Sequence, residues 1–157
     1  MTNKELIKRY PFLIPRNVFT DKIVIDLDAE EIEHTLLDEV PDGWRKAFGE
    51  QMCEEIREVL IAYDYLEKYR VVQIKEKFGQ LRWYDNGAPR EVFEIINKYE
   101  RLSEVTCIQC GKPATLISKG WISPYCDECV KTHRNYDENR YMPIEKFYKN
   151  LKGDNDE

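Results

Sequence analysis

Apolar residues recur at steps of three and four most regularly over residues 44–63, where Trp44, Phe48, Met52, Ile56, Val59, Leu60 and Tyr63 make one continuous stripe. That period predicts an amphipathic helix with a single buried face, opened by Pro41-Asp42-Gly43. The period then drops to two. Val72 and Ile74 alternate with Gln73 and Lys75, and Leu81 and Trp83 alternate with Arg82 and Tyr84, around a Lys77-Phe78-Gly79-Gln80 turn, which predicts an antiparallel hairpin. Helical spacing returns after Pro89, with Val92, Phe93, Ile95, Ile96, Tyr99 and Leu102 on one side; a proline just ahead of Arg90 suits a helix start.

The flanks are less regular. Thr2 and Glu5 have the spacing of a capping box, so a short helix is expected over residues 3–10, stopped by Pro11. Residues 11–19 are apolar and twice interrupted by proline, and read as an extended arm laid over the core. Residues 22–26 suit a strand, and the acidic stretch 28–39 reads as a short helix or as a loop. Near the other end Pro143 opens a last amphipathic segment with Ile144, Phe147, Tyr148 and Leu151, expected to dock on the body, while residues 152–157 are expected to fray.

Between the second helix and that last segment lie Cys107-Ile-Gln-Cys110 and Cys126-Asp-Glu-Cys129, with fifteen residues between the pairs. Two CxxC pairs at this distance suit a tetrahedral thiolate zinc site. In each pair the turn aims backbone amides at the sulfurs, and Gly111 directly after Cys110 permits the tight turn. Residues 115–118 and Trp121-Ile122 are expected to pair as short strands about Gly120, giving a zinc-ribbon-like plan. The expected fold is therefore α+β: a helix and hairpin body over residues 1–104, a zinc-ribbon-like four-cysteine module over 105–132, and a short C-terminal helix with a disordered tail over 133–157. Trp44 and Trp121 are expected in the core and in knuckle packing, and Cys53, alone in the helical pattern, as a buried thiol.

Composition narrows the setting. With 42% hydrophobic and 12% aromatic residues, the 157-residue chain can bury a modest core. The opening residues lack a continuous apolar stretch and no later run approaches the ~20 residues of a membrane span, which predicts a cytosolic protein with no membrane partner. A reducing cytosol favours metal over disulfides for paired CxxC motifs. The net charge of −6 argues against general duplex nucleic-acid binding, yet it is unevenly spread. Residues 21–58 hold thirteen Asp or Glu against four Lys or Arg, whereas residues 68–90 hold six Lys or Arg against Glu76 and Asp85 alone, predicting an acidic face and a basic one.

The strings of residues 10–17, 41–49, 73–84 and 107–129, above all the Lys75-Glu-Lys-Phe-Gly-Gln-Leu-Arg-Trp-Tyr84 block followed by the two cysteine pairs, resemble small uncharacterised proteins encoded by bacteriophages, prophages and gut bacteria. The resemblance spans most of the chain and implies a host-cytosol setting with a regulatory or anti-defence role. It implies no activity.

Enzymatic chemistry has few candidates. His34 and His133 are the only histidines; His34 lies among acids, and His133, four positions after Cys129, would compete with four thiolates that already complete a coordination sphere. A closed site also leaves no position for an activated water. A zinc deaminase would add a His-x-Glu motif, which is missing. The expectation is a non-catalytic protein whose structural zinc, held by Cys107, Cys110, Cys126 and Cys129, fixes a recognition surface for a macromolecular partner, foremost a host protein. The alternative is sequestration of a small phosphorylated ligand such as a nucleotide signal by Lys75, Lys77, Arg82, Trp83 and Tyr84, where cations alternate with flat rings.

Overall fold

A computed structural model describes residues 1–154. Helix α1, Asn3–Arg9, is closed at its start by the expected capping box: Glu5 N donates to Thr2 Oγ1 at 3.2 Å and Thr2 N to Glu5 Oε2 at 2.8 Å. Pro11–Leu13 then makes a 3-10 turn that sinks Phe12 and Leu13 into the core, so the arm is bent at its root instead of extended throughout. Residues 22–26 form no strand. A single bridge joins Arg16 to Ile23, and Asp26 Oδ1 takes the amide of Asp28 at 2.9 Å, turning the chain before a ladder can grow. The acidic stretch resolves as loop followed by a 3-10 turn at Leu36–Glu39.

The long stripe is helical from Asp42 to Ala62: α2, Asp42–Trp44, runs through a π-helical segment, Arg45–Gly49, into α3, Glu50–Ala62. Trp44, Phe48, Met52, Ile56 and Leu60 are buried along it with Cys53, while Val59 is partly covered and Tyr63 is exposed, its hydroxyl donating to Glu91 Oε1 at 2.8 Å. The extra residue in the π turn rotates the start of the stripe so that Trp44 faces the same core as the residues of α3.

Strands β1, Val71–Lys77, and β2, Gln80–Asp85, form the expected hairpin. A register shift between Val71 and Gln73 turns Val72 outward and Val71 inward, which corrects the simple alternation read from the sequence. Ile74, Leu81 and Trp83 point into the core. Helix α4, Arg90–Ser103, lies along β2 and satisfies its free edge with side chains: Leu81 N donates to Ser103 Oγ at 2.9 Å and Trp83 N to Glu100 Oε2 at 3.2 Å. The β2 edge of the sheet is thus shielded from edge pairing.

The third layer is a small sheet of β3, Leu116–Ser118, β4, Pro124–Tyr125, and β5, Tyr141–Pro143, in the order β4-β3-β5. Between β4 and β5 comes α5, Asp127–Val130, and after β5 comes α6, Ile144–Asp154. Strand β3 pairs with residues 124–125 and not with Trp121-Ile122, which make the tip of the turn. Helix α6 docks on this sheet, through Ile144 with Phe147 and Tyr148 against Ala114, Ile117 and Ile122, and touches α4 by the Tyr148 hydroxyl donating to Glu104 O at 3.3 Å. The sequence placed it on the body; the sheet offers the nearer apolar face. The expected fraying of residues 152–157 meets a helix that reaches Asp154, and residues 155–157 lie outside the described part. The architecture is α+β, with the four cysteines in the small layer and a C-terminal helix upon it.

One ion-pair cluster ties α1 to α3. Glu54 takes Arg9 Nε at 2.8 Å and the Tyr10 hydroxyl at 2.7 Å. The Arg9 hydrogen bond first, then that of Tyr10, pulls the Glu54 carboxyl from 4.5 to about 2. A depressed carboxylate stabilises the fold fully above its unfolded value and loses that contribution as pH falls through the folded one. Glu54→Gln should therefore lower the melting temperature near neutral pH, and the gap to wild type should close as melts are repeated from about pH 5 down to about pH 2. A gap of constant size would assign the loss to packing.

Candidate metal centre

The first knuckle is built by backbone. Cys107 N donates to Lys112 O at 2.7 Å and Gly111 N to Cys107 O at 3.0 Å, a turn that Gly111 closes at φ +86°. Cys126 sits at the start of α5 and Cys129 within its one turn, with Val130 N donating to Cys126 O at 3.3 Å. The two pairs converge because Ile108 N donates across to Pro124 O at 3.0 Å. All four Sγ atoms lie within 4.8 Å of one another, and Cys110 Sγ is 3.6 Å from Cys126 Sγ. A disulfide needs about 2.05 Å, whereas four sulfurs at ~2.3 Å from one tetrahedral ion stand about 3.8 Å apart. The cluster has the dimensions of the second arrangement. It can hold a metal ion, and no other metal-competent group of three or more His, Cys, Asp or Glu occurs among the described residues.

The sulfurs are electrostatically prepared to share a cation. Burial opposes charge on Cys107, but amides of Cys110, Cys126 and Gln109 directed at its sulfur outweigh it and bring the thiol down to about 7. Cys129 is pushed up, by burial first and then by hydrogen bonds to the other three sulfurs. A cation shared by the four sulfurs would favour the thiolate form that binds metal.

His133 is not a fifth candidate. Its Nδ1 meets the Tyr141 hydroxyl at 2.8 Å, its Nε2 meets Gln109 Oε1 at 3.1 Å, and its ring stands edge-on to Tyr125. It braces the first knuckle against β5. His34 is half-buried beside Asp38 and Glu39, 3.5 and 3.1 Å away, and is not one of the residues brought together with the sulfurs.

The centre is fastened to the body at two points. Gly43 N donates to Ile108 O at 2.9 Å, and the buried Trp44 indole donates to Thr106 O at 2.9 Å. A Cβ on Gly43 would lie 2.3 Å from Cys107 O, and one on Gly111 would lie 2.6 Å from Gly43 O, so two backbones touch here where only glycine fits. At the second point the hairpin turn meets the module: a Cβ on Gly79 would stand 3.2 Å from Ile122 O.

Comparison with protein-family models, curated proteins and solved structures finds no match. The candidate site residues are therefore placed by geometry alone.

The basic hairpin is divided by the fold. Lys75, Lys77 and Tyr84 share the outer face, with the Lys75 ammonium 5.6 Å from the centre of the Tyr84 ring. Trp83 does not join them: it is 5% exposed and its indole donates to the Tyr69 hydroxyl at 3.1 Å, so it offers no face to a ligand. Arg82 leans toward Glu100 and Glu104, whose carboxyls burial pushes up and its charge pulls back, and its Nε is buried without a partner among the described residues. Trp121, expected in packing, is 80% exposed at the tip between β3 and β4. With Phe78, 70% exposed, it flanks a cleft of about 200 Å³. Trp121 did not stand out in the sequence as a site residue, because an isolated Trp usually signals burial, whereas Phe78 was legible as one of the rings among the hairpin cations. No helix among the described residues is long and apolar enough to cross a membrane.

Proposed function

We propose that the chain is a non-catalytic zinc protein whose four thiolates hold one structural ion and so fix a surface that binds a macromolecular partner. The observation that carries this reading is the convergence of four sulfurs within 4.8 Å in a closed set, beside two aromatic side chains left in solvent at adjoining turns. A thiolate quartet favours zinc among common divalent ions. Four protein ligands leave no open position for a substrate, so the ion's contribution is to hold the turn that carries Trp121 against the turn that carries Phe78. The likeness of the 75–84 block to phage and prophage proteins supports a host-cytosol setting and a regulatory or anti-defence role, with the partner a component of the host. A second reading, capture of a small phosphorylated ligand, is favoured by the Lys75 and Tyr84 contact but loses Trp83.

Native mass spectrometry of the protein purified from cells, followed by denaturation, separates these. The expected result is one zinc per chain and no released small molecule. A nucleotide released in stoichiometric amount would favour the second reading. A folded, metal-free chain would overturn both the zinc and the surface it is said to fix.

A further inference from the structure

The outer face of the hairpin meets the ribbon tip at its turn, where Lys77 belongs to both the outer row and the cleft beside Trp121. Across β1 and β2 the register sets Gln73 opposite Tyr84, Lys75 opposite Arg82 and Lys77 opposite Gln80. The Lys77 ammonium lies 5.7 Å from the Phe78 ring, as that of Lys75 lies 5.6 Å from Tyr84. Past the turn, Trp121 stands across the cleft lined by Glu76, Lys77, Phe78, Gly120 and Ile122. Two ammonium groups, of Lys75 and Lys77, thus lie between the Tyr84 ring at one end and the Phe78 and Trp121 rings at the other, a strip whose hairpin part spans about 20 Å at 3.4 Å per residue. Lys75 and Lys77 have no ion-pair partner among the described residues. Glu76, the one carboxylate in the cleft, is turned to the backbone, accepting Gly79 N at 2.7 Å.

Phe78 is held at a cost. The loop is two residues long and both have positive φ, +54° at Phe78 and +76° at Gly79, the type I′ geometry that prefers Asn or Gly at its first position. A phenyl group gains nothing there from packing, since it is 70% exposed. A strained backbone that presents a bare ring beside lysines points to a use for the ring.

Charge is polarised in the same direction. Residues 1–67 hold sixteen Asp or Glu against eight Lys or Arg, while residues 68–152 reverse this, sixteen Lys or Arg against eleven Asp or Glu. The net −6 belongs to the part of the chain that lacks the strip.

We propose that this strip binds single-stranded nucleic acid, bases stacking on Phe78, Trp121 and Tyr84 and phosphates lying against Lys75 and Lys77. The inference names the partner class for the surface described above and rests on that reading, because the ribbon is what sets Trp121 opposite Phe78. Flat rings spaced among cations match a chain that repeats base and phosphate. A duplex keeps its base faces stacked and would meet the lysines alone. An acidic peptide would satisfy the lysines and leave three rings uncovered. RNA and DNA share the chemistry invoked.

The test uses the full chain with zinc content measured first. Labelled oligothymidine, oligouridine and a duplex are titrated by fluorescence anisotropy at about 50 and about 200 mM salt. Either single strand should bind with a dissociation constant of about 1–100 µM at the lower salt and outcompete the duplex. Preference between them assigns DNA or RNA. Trp44 and Trp83 are buried, so quenching of the solvent-exposed emission reports stacking on Trp121. Trp121→Ala and Phe78→Asn should each weaken binding by roughly 5- to 100-fold. Phe78→Asn should do so with an unchanged or higher melting temperature, since Asn tolerates the turn geometry, and that separates a lost contact from a lost fold. Replacing Lys75 and Lys77 together by Gln should flatten the salt slope by about 1.4. Absence of single-strand binding up to about 100 µM in a sample carrying one zinc per chain overturns the inference and leaves the zinc-held binding surface with a partner of another class. Binding that survives both aromatic substitutions, or capture of oligoglutamate in place of either strand, overturns it equally. The zinc reading fails separately, on a folded sample without metal.

Discussion

Cys107→Ser should unfold far more than the knuckle it belongs to. The residue is fully buried, its carbonyl lies against Gly43 at the start of the core helix, and its neighbour Thr106 accepts the Trp44 indole. Loss of the metal would melt at least the four-cysteine module, residues 105–132. The structure spreads the damage, because the Gly43 and Trp44 hydrogen bonds tie α2 to the loop the sulfurs hold. Structural zinc contributes an apparent ~10–16 kcal/mol in small thiolate domains, against ~5–15 kcal/mol for the total stability of an ordinary domain. The variant should lack metal and lose the near-ultraviolet signal of Trp44 and Trp83 in the body. A metal-free variant with a native-like signal would show that the two layers fold independently.

The second large effect is expected from Gly43→Ala, a single methyl group placed where nothing flexible can yield. Its Cβ would fall 2.3 Å from Cys107 O and 2.6 Å from both the carbon and the oxygen of the Ile108 carbonyl, all backbone. Alanine is otherwise the best helix former, so propensity favours the substitution in α2. Steric exclusion should prevail by about 3 kcal/mol, the upper end of overpacking costs, or about 6–12 °C in melting temperature at this chain length. Zinc affinity should fall with it, because the displaced backbone is the one that carries the first sulfur. Gly120→Ala is the matched control: a Cβ there meets nothing within 4 Å, although φ is +81°, so only turn strain is added and the metal should be retained.

Much of this fold follows from local patterns. The stripe from Trp44 to Leu60, the capping box of α1, the two-residue turn of the hairpin and the four cysteines each depend on residues close in sequence, and each appears as expected. What escaped depends on long-range geometry. Val71 and Val72 are chemically alike, and only the bulge decides which is buried. Pro41-Asp42-Gly43 reads as a helix start, while the need for Gly43 arises from a loop sixty-odd residues away. Trp121, expected in packing, is exposed, whereas Trp83 is buried as the alternation with Arg82 and Tyr84 implied, since burial is decided by which faces the layers meet. Helix α6 shows the same limit: its amphipathic spacing was legible, but whether it covered the body or the ribbon was not.

X-ray absorption at the zinc edge, on the 157-residue chain purified without added metal, tests the central claim most directly. One zinc per chain surrounded by four sulfurs at about 2.3 Å is the predicted result. A folded chain without metal, or a first shell containing nitrogen or oxygen in place of any of the four sulfurs, would contradict it.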